Sequence, residues 1–102
     1  MRFGISENSL ALILESLAQW REIEGASIFG SRAMGNYKNG SDIDLVVYGI
    51  DVTEEIINKL SVQLNEELPI PYYFDIVHYE SLTTTSLKAH IDTYAKTFYK
   101  RN

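Results

Sequence analysis

Two short apolar runs, Ala26-Ser27-Ile28-Phe29 and Asp42 through Tyr48, alternate with stretches of helical periodicity, and glycines bound both runs. That alternation confines the chain to helices packed on a small β-sheet, an α/β (α+β) architecture. At 102 residues the chain reads as one domain, 1–102. With 45% hydrophobic and 12% aromatic residues it can build a core, which excludes an unstructured tail or linker.

The helical stretches carry their own start and stop signals. Leu10, Ile13, Leu14 and Leu17 recur at helical spacing, and Ser6 is a suitable N-cap. This first helix is expected to run from Ser6 to about Glu24, with Gly25 as its stop. Ser31 to Tyr37 has room for two helical turns, and Asn39-Gly40 marks a turn before the second strand. Asp51-Val52-Thr53-Glu54 has the form of a capping box, and Ile56, Ile57, Leu60 and Leu64 continue to Leu68. Pro69 and Pro71 end that helix. Tyr72 to Tyr79 reads as a third strand, Leu82 to Asp92 as a last helix and Lys96 to Lys100 as a closing strand.

Composition narrows the function classes. There is no cysteine, so disulfides, thiolate metal sites and cysteine nucleophiles are excluded. Fourteen acidic against nine basic side chains, a net charge of −5, argue against strong direct binding of nucleic acid. No apolar run approaches the roughly 20 residues that span a bilayer, and no leader is legible. The expected setting is cytoplasmic, away from membranes.

The chemistry concentrates in three places. Side chains alternate along a strand, so Asp42 and Asp44 project on one face while Ile43 and Leu45 take the other. Paired carboxylates at that spacing repel unless a cation lies between them, and a hard divalent ion such as Mg²⁺ suits oxygen ligands. Asp75 stands within the apolar third strand, where a carboxylate is costly to bury unpartnered. It either pairs with a basic residue or lies wet on an edge strand, or, if strands two and three are neighbours, joins Asp42 and Asp44. Phe29-Gly30-Ser31-Arg32 follows a strand and opens a short helix, where glycine allows close approach of an anion and free N–H groups attract it. Cation ligands and phosphate donors side by side equip a site for phosphoryl or nucleotidyl transfer.

Gly30-Ser31, ten intervening residues and then Asp42-Ile43-Asp44 resemble the signature of the polymerase-beta-like nucleotidyltransferase superfamily. The stretch Phe29-Gly30-Ser31-Arg32-Ala33-Met34-Gly35 through Ser41-Asp42-Ile43-Asp44-Leu45 is similar to the minimal nucleotidyltransferase (MNT) family in particular. The resemblance covers essentially the whole chain. It implies a small mixed sheet flanked by helices, with Mg²⁺ and a nucleoside triphosphate at the carboxylates. It makes Asp42 and Asp44 the metal-binding pair and Asp75 the third acid, which activates the acceptor hydroxyl. Gly30 and Ser31 become triphosphate contacts. Where many relatives have arginine this chain has Met34, and Arg32 is the cation expected to compensate; Ala95 stands where relatives often have glycine.

The resemblance also implies a partner. Minimal members are one half of a two-protein system whose other half is a helical HEPN toxin, and the MNT protein acts as antitoxin by transferring AMP from ATP to a tyrosine of that toxin. Two rivals stand beside this expectation: neutralisation of the toxin by contact alone, and nucleotide transfer to a small molecule such as an aminoglycoside. Among the remaining residues, His78 is expected to be structural and His90 to lie on the surface. Tyr37 and Tyr48 are candidates for lining a base pocket, and the absence of a Gly-x-Ser-x-Gly elbow sets aside a serine hydrolase built on Ser31.

Overall fold

A computed structural model describes residues 2–102. Helix α1 spans Glu7–Ala18, β1 Gly25–Phe29, α2 Ser31–Met34, β2 Ile43–Tyr48, α3 Glu54–Val62, β3 Phe74–His78, α4 Thr85–Tyr94 and β4 Lys96–Lys100. The four strands form one sheet in the order β3-β2-β1-β4. β1 pairs antiparallel with both β2 and β4, whereas β2 and β3 run parallel. A parallel pair needs a crossover, and α3 with the π-helical turn Gln63–Glu67 supplies it.

The sheet is covered on both faces. Ile28, Ile43, Leu45, Val47 and Phe74 pack with Leu10, Ile13 and Leu17 of α1 and Ile56 and Leu60 of α3. Phe29 and Val46 pack on the opposite face with Ile91 of α4, flanked by Tyr48, Val77 and Leu87. The alternation of side chains along β2 therefore divides the molecule: Ile43, Leu45 and Val47 serve the larger core, and Asp44, Val46 and Tyr48 face α4.

Several boundaries differ from the sequence expectation for physical reasons. Ser6 does cap α1, its hydroxyl accepting from the Ser9 N–H at 3.2 Å, but the helix ends at Ala18. Tight turns from Leu17 to Trp20 and from Trp20 to Ile23 then drop the Ile23 side chain into the core. Gly25, expected as a helix stop, is the first residue of β1, where the Tyr99 carbonyl would lie 3.2 Å from an added Cβ. The segment after β1 makes one turn rather than two, because Gly35 takes a left-handed conformation and closes it on the Ser31 carbonyl. Thr53, not Asp51, caps α3, its Oγ1 accepting from the Ile56 N–H at 3.2 Å. β4 occupies the expected residues. Among the described residues no helix is long and apolar enough to cross a membrane.

Candidate active site

The parallel register of β2 and β3 sets Asp44 directly beside Asp75. Neighbouring strands lie about 4.8 Å apart, so two carboxylates at one register position on one face meet as close like charges. Asp75 is exposed and Asp44 half-buried. Asp42, the residue before β2, is exposed. The Asp44 carboxyl is pushed above its ordinary pKa, first by burial and then by Asp75 and Asp42, with Arg32, and His90 whenever it is protonated, pulling the other way. An oxygen-only set short of positive charge fits a hard divalent cation, and Asp42, Asp44 and Asp75 are the residues that would hold it. Among the described residues, however, no three acidic or histidine side chains stand at metal-ligand spacing. The acids share a neighbourhood, and repulsion between like charges opposes their closing into a compact triad.

Gly30 joins this neighbourhood by a close approach. Its φ of +71° and ψ of −152° lie in a region essentially reserved for glycine. A Cβ at this position would fall on Asp44 Oδ2, so the turn after β1 and the carboxylate on β2 are fitted to one another. The Gly30 carbonyl receives the N–H groups of Ala33 and Met34, both at 3.1 Å, which starts α2 directly from the turn. Ser31 follows, half-buried, its carbonyl accepting from Gly35 at 2.9 Å and Asn36 at 3.2 Å.

Arg32 has a different occupation from the phosphate contact expected of it. Its side chain is 97% buried, at 3% exposure. Nη2 donates to the Ser41 carbonyl at 2.6 Å, Nη1 to the Phe3 carbonyl at 2.8 Å, and Nε to the Ser41 and Asp42 carbonyls at 3.2 and 3.4 Å. The guanidinium also lies over the rings of Tyr37 and Tyr72, 4.9 and 4.8 Å from their centroids. A cation with so many carbonyl partners is held in place, and what it holds is the loop that delivers Asp42. Tyr37, a candidate for a base pocket, is thereby engaged in packing on Arg32, and Tyr48 packs against Tyr79 at 5.3 Å. Met34 is exposed at 48% and makes no substitute for a cation.

The two histidines part company. His78 is structural as expected, its ring nitrogens bonded to Ser81 Oγ at 2.6 Å and the Gly49 carbonyl at 2.7 Å. His90, expected on the surface, instead receives the Gly30 N–H on Nε2 at 3.1 Å. Its ring packs against Phe29 and Tyr94, with centroids 6.1 and 5.1 Å away. No local motif marks His90; only the docking of α4 on the sheet brings it to a turn 60 residues earlier. A separate groove of about 630 Å³ opens between the end of α1 and α3, lined by Trp20, Val62 and three glutamates, and none of the site residues borders it.

Comparison with known proteins identifies the family and the fold. The family described as "Polymerase beta, Nucleotidyltransferase" matches residues 12–102, a span that contains all three acids and the Gly30 turn. No curated protein sequence matches. Among solved structures, a toxin–antitoxin complex with AMP-PNP superposes with a TM-score of 0.72 at 23% identity, covering 96% of this chain and 76% of that one. The MntA-HepT toxin–antitoxin complex gives 0.70 at 21% identity, covering 94% and 74%. The complex of tri-AMPylated Shewanella oneidensis HEPN toxin with MNT antitoxin gives 0.64 at 22% identity, covering 93% and 70%. The sheet order, the paired acids on β2 and β3 and the family match together make this chain a member of the polymerase beta nucleotidyltransferase family.

Proposed function

We propose that this protein transfers AMP from ATP to a hydroxyl group with the help of Mg²⁺, and that the acceptor is a tyrosine of a HEPN-family toxin for which it serves as antitoxin. The observation that carries the chemistry is the register pair Asp44 and Asp75 beside the glycine-only turn at Gly30. The similarity in fold to a toxin–antitoxin complex with AMP-PNP, and to an MNT antitoxin in complex with an AMPylated HEPN toxin, supports the choice of nucleotide and partner.

In this reading Asp42 and Asp44 bind the cation and orient the triphosphate, whose oxygens meet the backbone of Gly30 and Ser31. A bound divalent cation supplies charge neutralisation and lowers the pKa of the acceptor hydroxyl. Asp75, the most accessible acid of the register pair, takes the proton as the acceptor oxygen bonds to the α-phosphorus and pyrophosphate leaves. Arg32 serves at one remove, fixing the loop that carries Asp42.

The test is incubation with Mg-ATP and the protein encoded by the adjacent gene, followed by mass spectrometry. AMP on a partner tyrosine, lost in the Asp42→Asn/Asp44→Asn variant, is the expected result. A stable complex with an unmodified partner points to neutralisation by contact. No complex, with transfer to an aminoglycoside-like small molecule, moves the acceptor assignment there.

A further inference from the structure

We infer that His90 is a positioning residue of the nucleotide site, holding the Gly30 turn in the conformation that sets it against Asp44. The inference rests on the nucleotidyl-transfer reading above and deepens it. A glycine has many conformations open to it, so one fixed conformation must be held by its surroundings. At Gly30 three constraints meet: the space left by the absent Cβ is taken by Asp44 Oδ2, the carbonyl starts α2, and the N–H is received by His90 Nε2 at 3.1 Å. The first two act on one side of the residue and on its carbonyl. His90 bonds the N–H of the peptide plane that precedes Gly30, and so bears on the direction in which β1 hands the chain to the Gly30–Ser31 backbone.

The bond also defines the imidazole. An Nε2 that accepts carries no proton, so the neutral ring bears its hydrogen on Nδ1. Phe29 and Tyr94 flank the ring and fix its plane. His90 is therefore held by α4 and in turn holds the turn.

The role is separable from folding, because α4 has other anchors. Ile91 is buried in the core on this face, and Tyr79 Oη donates to Asp92 Oδ1 at 2.7 Å. His90→Phe keeps an aromatic ring between Phe29 and Tyr94 and removes only the acceptor. His90→Gln removes the ring and offers an amide oxygen at similar reach.

Two readouts on the full chain test the role: hydrogen exchange at the Gly30 amide without nucleotide, and calorimetric titration with Mg-ATP. In His90→Phe, exchange at Gly30 should speed up at least tenfold and Mg-ATP affinity should fall about five- to tenfold, the scale of one hydrogen bond. His90→Gln should recover most of both. Unchanged exchange at Gly30 in His90→Phe overturns the inference, as does Mg-ATP affinity equal to wild type. A glutamine variant as impaired as the phenylalanine one also overturns it, since the acceptor would then not be what matters. A wild type that binds no Mg-ATP overturns the nucleotide reading itself, and the exchange experiment still decides whether His90 holds the turn.

Discussion

The carboxylate of Asp44 occupies the space that a side chain on residue 30 would need. Phe29 and Asp44 are register partners across β1 and β2, so the turn after β1 passes directly over the acid. Glycine is required twice at this point, by the positive φ and by the contact.

Gly30→Ala should therefore destabilise the protein by about 2 kcal/mol, within the range for a residue forced into a glycine-only conformation. Urea unfolding of the single and double variants separates the two causes. Asp44→Ala in the same chain should return part of the loss by vacating the contact, leaving the conformational part. Strict additivity of the two substitutions would mean that the close approach carries no energy.

Burial and two neighbouring acids hold the Asp44 pKa above its ordinary value. A folded state that binds this proton more readily than the unfolded chain gains stability as pH falls through the raised pKa. It loses that stability as pH rises between the ordinary value and the raised one. Above that window the ionised Asp44 is a net cost to the fold. Asp44→Asn should melt at a higher temperature than wild type at pH 7, and the difference should shrink as pH falls toward the ordinary aspartate pKa. Thermal melts across this range check the sign. Mg²⁺ should stabilise the wild type and leave the Asn variant nearly unaffected.

Most of the candidate site was legible in the sequence because its parts are local. The Asp-x-Asp spacing, the Gly-Ser after a strand and the proline-terminated α3 each announce themselves within a few residues. β4 was legible for the same reason, as a short run carrying Thr97, Phe98 and Tyr99. What escaped depends on tertiary contact. Arg32 looks in sequence like a free cation beside a phosphate turn; three backbone carbonyls from Phe3, Ser41 and Asp42 claim it. His90 looks like a surface residue of an amphipathic helix, and only the angle at which α4 meets the sheet delivers it to Gly30. The early end of α1 has a similar origin, since Ile23 reaches the core from a turn as well as it would from a helix.

Arg32→Lys tests the structural role assigned to that guanidinium. Lysine offers one point charge where arginine makes four donor contacts to three carbonyls and stacks between Tyr37 and Tyr72. Leaving buried carbonyls short of donors should lower stability by about 3 kcal/mol. A direct phosphate contact makes the opposite demand: stability near wild type with a large loss of nucleotide affinity. Denaturant unfolding and Mg-ATP titration of the same variant distinguish the two.

Asp75 is the residue at which binding and chemistry should separate. It shares a register position with Asp44 but is exposed where Asp44 is half-buried, so in the proposed reaction an incoming acceptor would meet Asp75 first. Like charges directly opposite on adjacent strands destabilise a sheet by roughly 0.2–1 kcal/mol, and Asp75→Asn should therefore leave the free protein as stable as wild type or slightly more so. Under the proposed function Asp42 and Asp44 remain to bind Mg-ATP, so calorimetric affinity should fall less than tenfold. Transfer should fall about a hundredfold or more, the scale of losing a positioned general base. Measured together on one preparation, the two quantities assign the residue: unequal loss marks Asp75 as the proton acceptor, and equal loss marks it as a third ligand whose work is done once the cation is held.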